Sequence, residues 1–131
     1  AIVLICSFIF LWQVPHFWLL MVRRGREYED AGLPSVTSAF SDKGLIRVTG
    51  GWFFACLACG TLLATAPYSP MRPPWNGLAV MLSIAFAAGG VVLWVGAFRA
   101  GVARRLWPAF HMVNAYALAV GACLALSALA D

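Results

Sequence analysis

The chain has 131 residues and a net charge of +4; it is 63% hydrophobic and only 11% charged, with a mean hydropathy of +0.85. Soluble domains are roughly half apolar and a quarter charged, so a water-soluble globular domain is excluded and lipid is the solvent for most of the chain. The excess of Lys and Arg gathers in two connections between apolar runs, which makes it a matter of membrane topology and gives no sign of a nucleic-acid partner.

Four apolar runs follow one another, at 1–22, 48–68, 77–98 and 106–130, and none contains Asp, Glu, Lys or Arg. Each is near the roughly 20 residues needed to cross the hydrocarbon core as a helix. The first is too long for a signal-peptide core, has no basic segment before it and is followed by arginines, so it reads as a transmembrane helix. It carries Gln13, Pro15 and His16. On a helical wheel, His16, Gln13, Leu20, Arg23, Glu27 and Asp30 fall within about 60° of a common line. Polar groups at membrane depth are costly and face a bundle interior or a wet cavity. Pro15 leaves the Leu11 carbonyl without its helical partner.

The connection 23–47 is long and dense in charge, with Arg23, Arg24, Arg26, Lys43 and Arg47 beside Glu27, Glu29 and Asp30. Gly25 is a candidate helix stop within it. In the second run Cys56 and Cys59 form a C-x-x-C with no second pair, and the reading is two small packing residues. A proline-rich turn, APYSPMRPPWN, places Tyr68 and Trp75 at an interface. Ala85 and Gly89 in the third run, and Ala117, Gly121 and Ala125 in the fourth, have the small-residue spacing that lets membrane helices approach closely. His111 and Asn114 in the fourth run read as polar groups engaged between helices.

Eight of the nine Lys and Arg lie in connections 23–47 and 99–105, and the other side of the membrane holds only Arg72. The positive-inside rule puts both basic connections in the cytoplasm. The prediction is an all-α, polytopic helical bundle with four transmembrane helices in one domain, 1–131. The chain has no starting Met and opens in apolar sequence, as expected of part of a larger membrane protein.

Residue chemistry carries the reading further. Arg24 and Arg26 suit phosphate, which guanidinium can grip with two charge-assisted bonds. Glu27, Glu29 and Asp30 are hard oxygen donors, and Mg²⁺ with a diphosphate needs only one or two protein carboxylates. Acid and base interleaved at a membrane mouth therefore fit metal-assisted diphosphate binding. A solvated loop with weak ion pairs is the plainer alternative.

The stretch FLWQVPHFWLLMVRRGREYEDAGLP resembles the second signature region of the protoheme IX farnesyltransferases, or heme O synthases, of the intramembrane aromatic prenyltransferase superfamily. That pattern reads W-Q-x-P-H-F, about nine residues, D-Y, then A-G-x-P. Trp12, Gln13, Pro15, His16, Phe17, Tyr28, Ala31, Gly32 and Pro34 match it. Glu27 stands where the family has Asp, and Ser35 where it usually has Met. The closing stretch from Ala103 resembles the family's last helix. The resemblance implies the last four helices of a nine-helix fold, with the acidic signature N-x-x-x-D-x-x-x-D, which is absent here, in the missing N-terminal half. On its own this chain is expected to be inactive.

The resemblance also implies an activity. It is Mg²⁺-dependent transfer of a farnesyl group from farnesyl diphosphate to a vinyl group of heme B, giving heme O for terminal oxidases, in the bacterial inner membrane. Arg24, Glu27 and Tyr28 would be catalytic. Arg24, Arg26 and Lys43 would hold diphosphate, and Glu27 and Asp30 would hold the metal. Trp12, Gln13 and His16 would line the substrate cavity. Two alternatives are a quinone-pathway aromatic prenyltransferase and a heme-binding electron carrier that uses His16 and His111 as its ligands.

Overall fold

The computed structural model describes residues 1–130, which form helices and their connections. In chain order these are α1 (Ile2–Asp30), a single-turn α2 (Val36–Ala39), α3 (Asp42–Thr65), α4 (Trp75–Ala100), a 3-10 turn (Ala103–Leu106) and α5 (Trp107–Leu129). Four stretches, Ile2–Asp30, Asp42–Thr65, Trp75–Ala100 and Ala103–Leu129, are long and apolar enough to cross a membrane. The four predicted spans are thus all present, and the protein is an integral membrane protein with an all-α fold. Helices satisfy their own backbone hydrogen bonds, which hydrocarbon demands.

The first connection differs from its prediction. Most of 23–47 is helical: α1 runs on to Asp30 and α3 begins at Asp42. Gly25 does not stop α1. It is buried in the helix, and a Cβ there would collide with the Thr37 hydroxyl, so its small size is what lets α2 lie against α1. The stop is Gly32, at φ +74°. The Gly32 N–H bonds to the Glu29 carbonyl at 2.9 Å and the Leu33 N–H to the Tyr28 carbonyl at 2.8 Å, the paired closure of a Schellman motif. Pro15 is fully buried and the helix continues through it. At about 1.5 Å per residue, the 29 residues of α1 come to about 43 Å. The hydrocarbon core is about 30 Å thick, so about two turns project past it.

α3 starts where it does because Ser41 caps it, accepting the Gly44 N–H at 3.2 Å. In the same turn Asp42 Oδ2 accepts the Ala103 N–H at 3.0 Å, which ties the start of α3 to the 3-10 turn. The long helices form a closed ring in which α1 packs on α3 and α5, and α4 packs on the same two. Its core is built from Leu19, Phe53, Leu63, Val113, Tyr116 and Val120. The Tyr116 hydroxyl lies 2.7 Å from the Ser83 hydroxyl and 3.3 Å from the Leu57 carbonyl.

Gly89 of the predicted α4 stripe lies close to the Met112 methyl of α5, and further close approaches occur at glycines the sequence did not single out. Gly50 lies under Trp94, Gly60 under the Tyr116 hydroxyl and Gly90 under Phe53. Gly121, in the predicted α5 stripe, meets nothing within 4 Å. Gly60→Ala must therefore displace Tyr116, and is expected to cost about 1–3 kcal/mol of stability. Gly51→Ala in the same helix, where a Cβ meets nothing within 4 Å, is expected to be neutral or stabilising by up to about 1 kcal/mol. Thermal unfolding of both variants of the intact protein in detergent checks this, and equal losses would contradict the packing described.

Candidate functional site

The polar residues of α1 divide between two faces. Trp12 and His16 turn toward α5. The Trp12 indole N–H donates to Asn114 Oδ1 at 3.2 Å, and His16 Nδ1 lies 2.8 Å from the same oxygen. The Asn114 amide N–H₂ donates to the Phe110 carbonyl one turn back, at 2.7 Å, which fixes the amide so that its oxygen points at α1. His16 Nδ1 therefore carries the proton and donates. The His16 ring packs 5.1 Å from both the Trp12 and the Phe110 rings. Below this cluster an apolar cavity of about 400 Å³ lies between α1 and α5, lined by Phe8, Trp12, Asn114, Ala117 and Gly121 among others.

Gln13 lies on the other face. With Gln13 as origin, Leu20, Arg24, Phe17, Glu27 and Tyr28 fall within about 60° of it on the wheel. All of them are exposed except Leu20, which is half-buried. Arg24 Nη1 and Glu27 Oε2 are 3.9 Å apart across one turn. This face of α1 is an amide and an aromatic ring at membrane depth, followed by a guanidinium, a carboxylate and a phenol beyond it. The single stripe predicted through His16, Gln13, Arg23 and Glu27 is in fact two.

The remaining predicted residues sit around the rim. Arg23 lies over the Trp107 ring, 4.3 Å from its centroid. Arg26 lines a polar cleft of about 250 Å³ between α1, α2, α3 and the 3-10 turn, with Arg23, Glu29, Thr37, Asp42 and Arg104. Lys43 is exposed in the first turn of α3, next to Gly101. Arg24 and Glu27 are thus brought together with Tyr28, whereas Arg26 and Lys43 are set apart from them.

Glu29 is held by Ser35 and Thr37: the Thr37 hydroxyl donates to Oε1 at 2.7 Å and the Ser35 hydroxyl to the same atom. Ser35 also caps α2 through the Ser38 N–H. The serine that departs from the family's usual Met therefore fastens a carboxylate and starts a helix.

Among the described residues no three His, Cys, Asp or Glu gather into a metal-holding group. Glu27 and Asp30 are both exposed, three apart on one helix, hence neighbours on its surface. Two carboxylates suit Mg²⁺, which takes most of its ligands from water and substrate phosphate, and they are too few to hold it alone.

Sequence reasoning missed Trp107, Phe110, Ser35, Thr37, Asp42 and Arg104. Phe110 and Asn114 are four apart, and the basic run Arg104–Arg105 abuts Trp107; both were available signals. His16 and His111 have different settings. His16 is engaged by Asn114, whereas His111 is exposed, edge-on to Trp107 and Phe110.

Fold and site together define a membrane-embedded helical protein whose charged chemistry gathers at one membrane face. Over 129 residues, 98% of this chain and 42% of the relative, the chain is 30% identical to the protoheme IX farnesyltransferase of Nitratidesulfovibrio vulgaris. It is 37% identical over 82 residues, 62% of the chain and 30% of the relative, to the protein of that name from Geobacter sulfurreducens. With the one from Verminephrobacter eiseniae it shares 36% identity over 90 residues, 66% of the chain and 28% of the relative. No family model and no solved structure matches the chain. The chain belongs to the protoheme IX farnesyltransferase family, and spans between 28% and 42% of the length of these three relatives.

Asn114→Leu strands the Trp12 indole and the His16 ring at membrane depth. It is expected to cost about 1–2 kcal/mol, the upper range for polar contacts between membrane helices. His111→Leu should change stability by less than about 0.5 kcal/mol, as at most exposed positions. Thermal unfolding of the two variants side by side measures the difference.

Proposed function

We propose that the protein containing this chain transfers the farnesyl group of farnesyl diphosphate to a vinyl group of heme B, giving heme O and diphosphate, with Mg²⁺ bound. One observation carries this reading: the open face of α1 puts Gln13, Phe17, Arg24, Glu27 and Tyr28 in one line, within a stretch that matches the signature of a family to which the chain belongs. The substrate has a long apolar chain and a highly charged diphosphate head. A surface that is apolar at membrane depth and ionic just beyond it suits both ends at once.

The reaction breaks the bond between the farnesyl carbon and a diphosphate oxygen. Charge grows on the departing oxygens, and groups already aimed at that charge lower the barrier. Arg24 supplies a guanidinium there, 3.9 Å from the Glu27 carboxylate. Glu27 and Asp30 would hold Mg²⁺, which neutralises diphosphate charge when bound. The Tyr28 hydroxyl can donate to a leaving oxygen. Arg26 and Lys43 add positive potential at the same rim from outside that face. Trp12, held with His16 by Asn114, lines the apolar cavity between α1 and α5, and Gln13, on the open face, would meet porphyrin or prenyl chain from the other side. The allylic cation left behind is attacked by the vinyl carbon, and water completes the hydroxyethylfarnesyl group.

The open face is half a site. In this reading the chain forms the last four of nine helices, and the rest of the bundle brings the first acidic signature opposite Glu27. The membrane is the bacterial inner membrane, with the rim in the cytoplasm. A quinone-type acceptor would use the same diphosphate chemistry, so the products of the reaction decide between them.

In the intact protein, Glu27→Ala is expected to lower heme O formation by about 100-fold or more, the usual loss when one charge-stabilising group is removed. Glu27→Asp, which restores the family's residue, should keep most of the activity. Product analysis with labelled farnesyl diphosphate and heme B, on protein shown to insert normally, reads both. Unchanged turnover in Glu27→Ala removes Glu27 from the site, and label in a quinone-type product instead of heme O removes the heme acceptor.

A further inference from the structure

The cleft between α1, α2, α3 and the 3-10 turn holds more positive than negative charge. Three guanidinium groups, Arg23, Arg26 and Arg104, line its roughly 250 Å³ together with Glu29 and Asp42. Both carboxylates keep their charge, so three guanidinium groups face two carboxylates, and each carboxylate is hydrogen-bonded to a neutral donor. Glu29 accepts the hydroxyls of Ser35 and Thr37, and Asp42 Oδ2 accepts the Ala103 backbone N–H. Among the described residues the one ion pair is Arg24–Glu27, so none of the three cleft arginines is paired with a carboxylate. Arg23 is steadied over Trp107, and a guanidinium stacked this way keeps its N–H edge free. Each guanidinium carries five donors in a planar fork and cannot be discharged at any physiological pH.

Position narrows the ligand. Val22 and Leu45, both buried and apolar, line the cleft beneath the charges. It therefore opens where hydrocarbon gives way to headgroups, on the side with eight of the nine Lys and Arg. Basic pockets between membrane helices at this level suit lipid phosphates. Arg23 and Arg26 lie about 80° and 140° around α1 from Gln13, on the side that faces α2, α3 and the 3-10 turn.

We propose that this cleft is a phosphate-binding site at the membrane surface, occupied by the headgroup of an anionic phospholipid. The phosphate bridges the projecting end of α1 to the 3-10 turn before α5, two segments far apart in sequence. Free phosphate or diphosphate is the other source of the same chemistry. The cleft shares Arg26 with the rim of the proposed prenyl-transfer site, but its readouts, lipid retention and Tm, do not depend on that reaction.

The test uses the intact protein in nanodiscs of phosphatidylcholine alone, or of phosphatidylcholine with phosphatidylglycerol. Retained lipid is read by native mass spectrometry and Tm by thermal unfolding. Phosphatidylglycerol is expected to be retained and to raise Tm. The double variant Arg26→Gln/Arg104→Gln should bind it more weakly by at least about tenfold, the usual loss when charge-assisted hydrogen bonds are removed. Arg104→Gln alone, at an exposed position, should give part of that loss in a protein that folds normally. Arg99→Gln, at the end of α4 and outside the cleft, should leave binding unchanged. Stabilisation of the phosphatidylcholine sample by inorganic phosphate or diphosphate, with none from phosphatidylglycerol, overturns the lipid assignment and gives the site to a soluble anion. An equal loss in Arg99→Gln, or no effect of any phosphate, overturns the site itself.

Discussion

Everything at the rim depends on α1 being one unbroken helix from Ile2 to Asp30. A rigid helix fixes both distance and direction. Gln13 and Glu27 are fourteen residues apart, which is about 21 Å along the axis and about 40° around it. An amide at membrane depth and a carboxylate beyond the membrane therefore share one line. Had the chain turned at Gly25, the charged segment would be a loop, and nothing would hold its direction relative to the span. Two glycines on α1 maintain the arrangement for different reasons. Gly25 leaves room for Thr37, and Gly32 takes the left-handed conformation that ends the helix.

The same geometry sorts the arginines. In the run Arg23-Arg24-Gly25-Arg26, successive residues step about 100° around the helix. Arg24 joins Glu27 on the open face, while Arg23 and Arg26 turn to the cleft. A cluster that looks uniform in sequence is two groups with different neighbours. Ser35 and Thr37 hold Glu29, which lines the cleft beside Arg26 and feels its charge.

Much of this was legible in the sequence, and what was not has identifiable causes. The four spans could be read because lipid imposes length and composition directly, and the signature could be read because its residues are contiguous. The helical extension to Asp30 was hidden because hydropathy reports the solvent, not the backbone: RRGREYED is polar whether it coils or continues the helix. The division of the polar stripe was hidden because a wheel gives angles without neighbours. Only the position of α5, set by packing, shows that His16 meets Asn114 while Gln13 does not. The cleft was least legible, since Arg26, Asp42 and Arg104 converge from three elements. The small-residue stripes gave only part of the packing, because spacing alone does not say which face is covered: Gly89 meets Met112, whereas Gly121 meets nothing within 4 Å. Gly50, Gly60 and Gly90 make further close approaches, each beneath an aromatic side chain.

The polar contacts between helices at membrane depth are few, and those around Asn114 are fully used. Asn114 satisfies its own helix with one end and two α1 side chains with the other. An unpaired polar group in hydrocarbon costs several kcal/mol, so this economy lets α1 keep a tryptophan and a histidine inside the bundle. It also orients α1. With Trp12 and His16 drawn to α5, the direction of Gln13 is set by default, and through the rigid helix so is that of Arg24 and Glu27. A hydrogen-bond bridge in the middle of the membrane thereby determines which charges face outward at its surface, although the two levels are several helical turns apart.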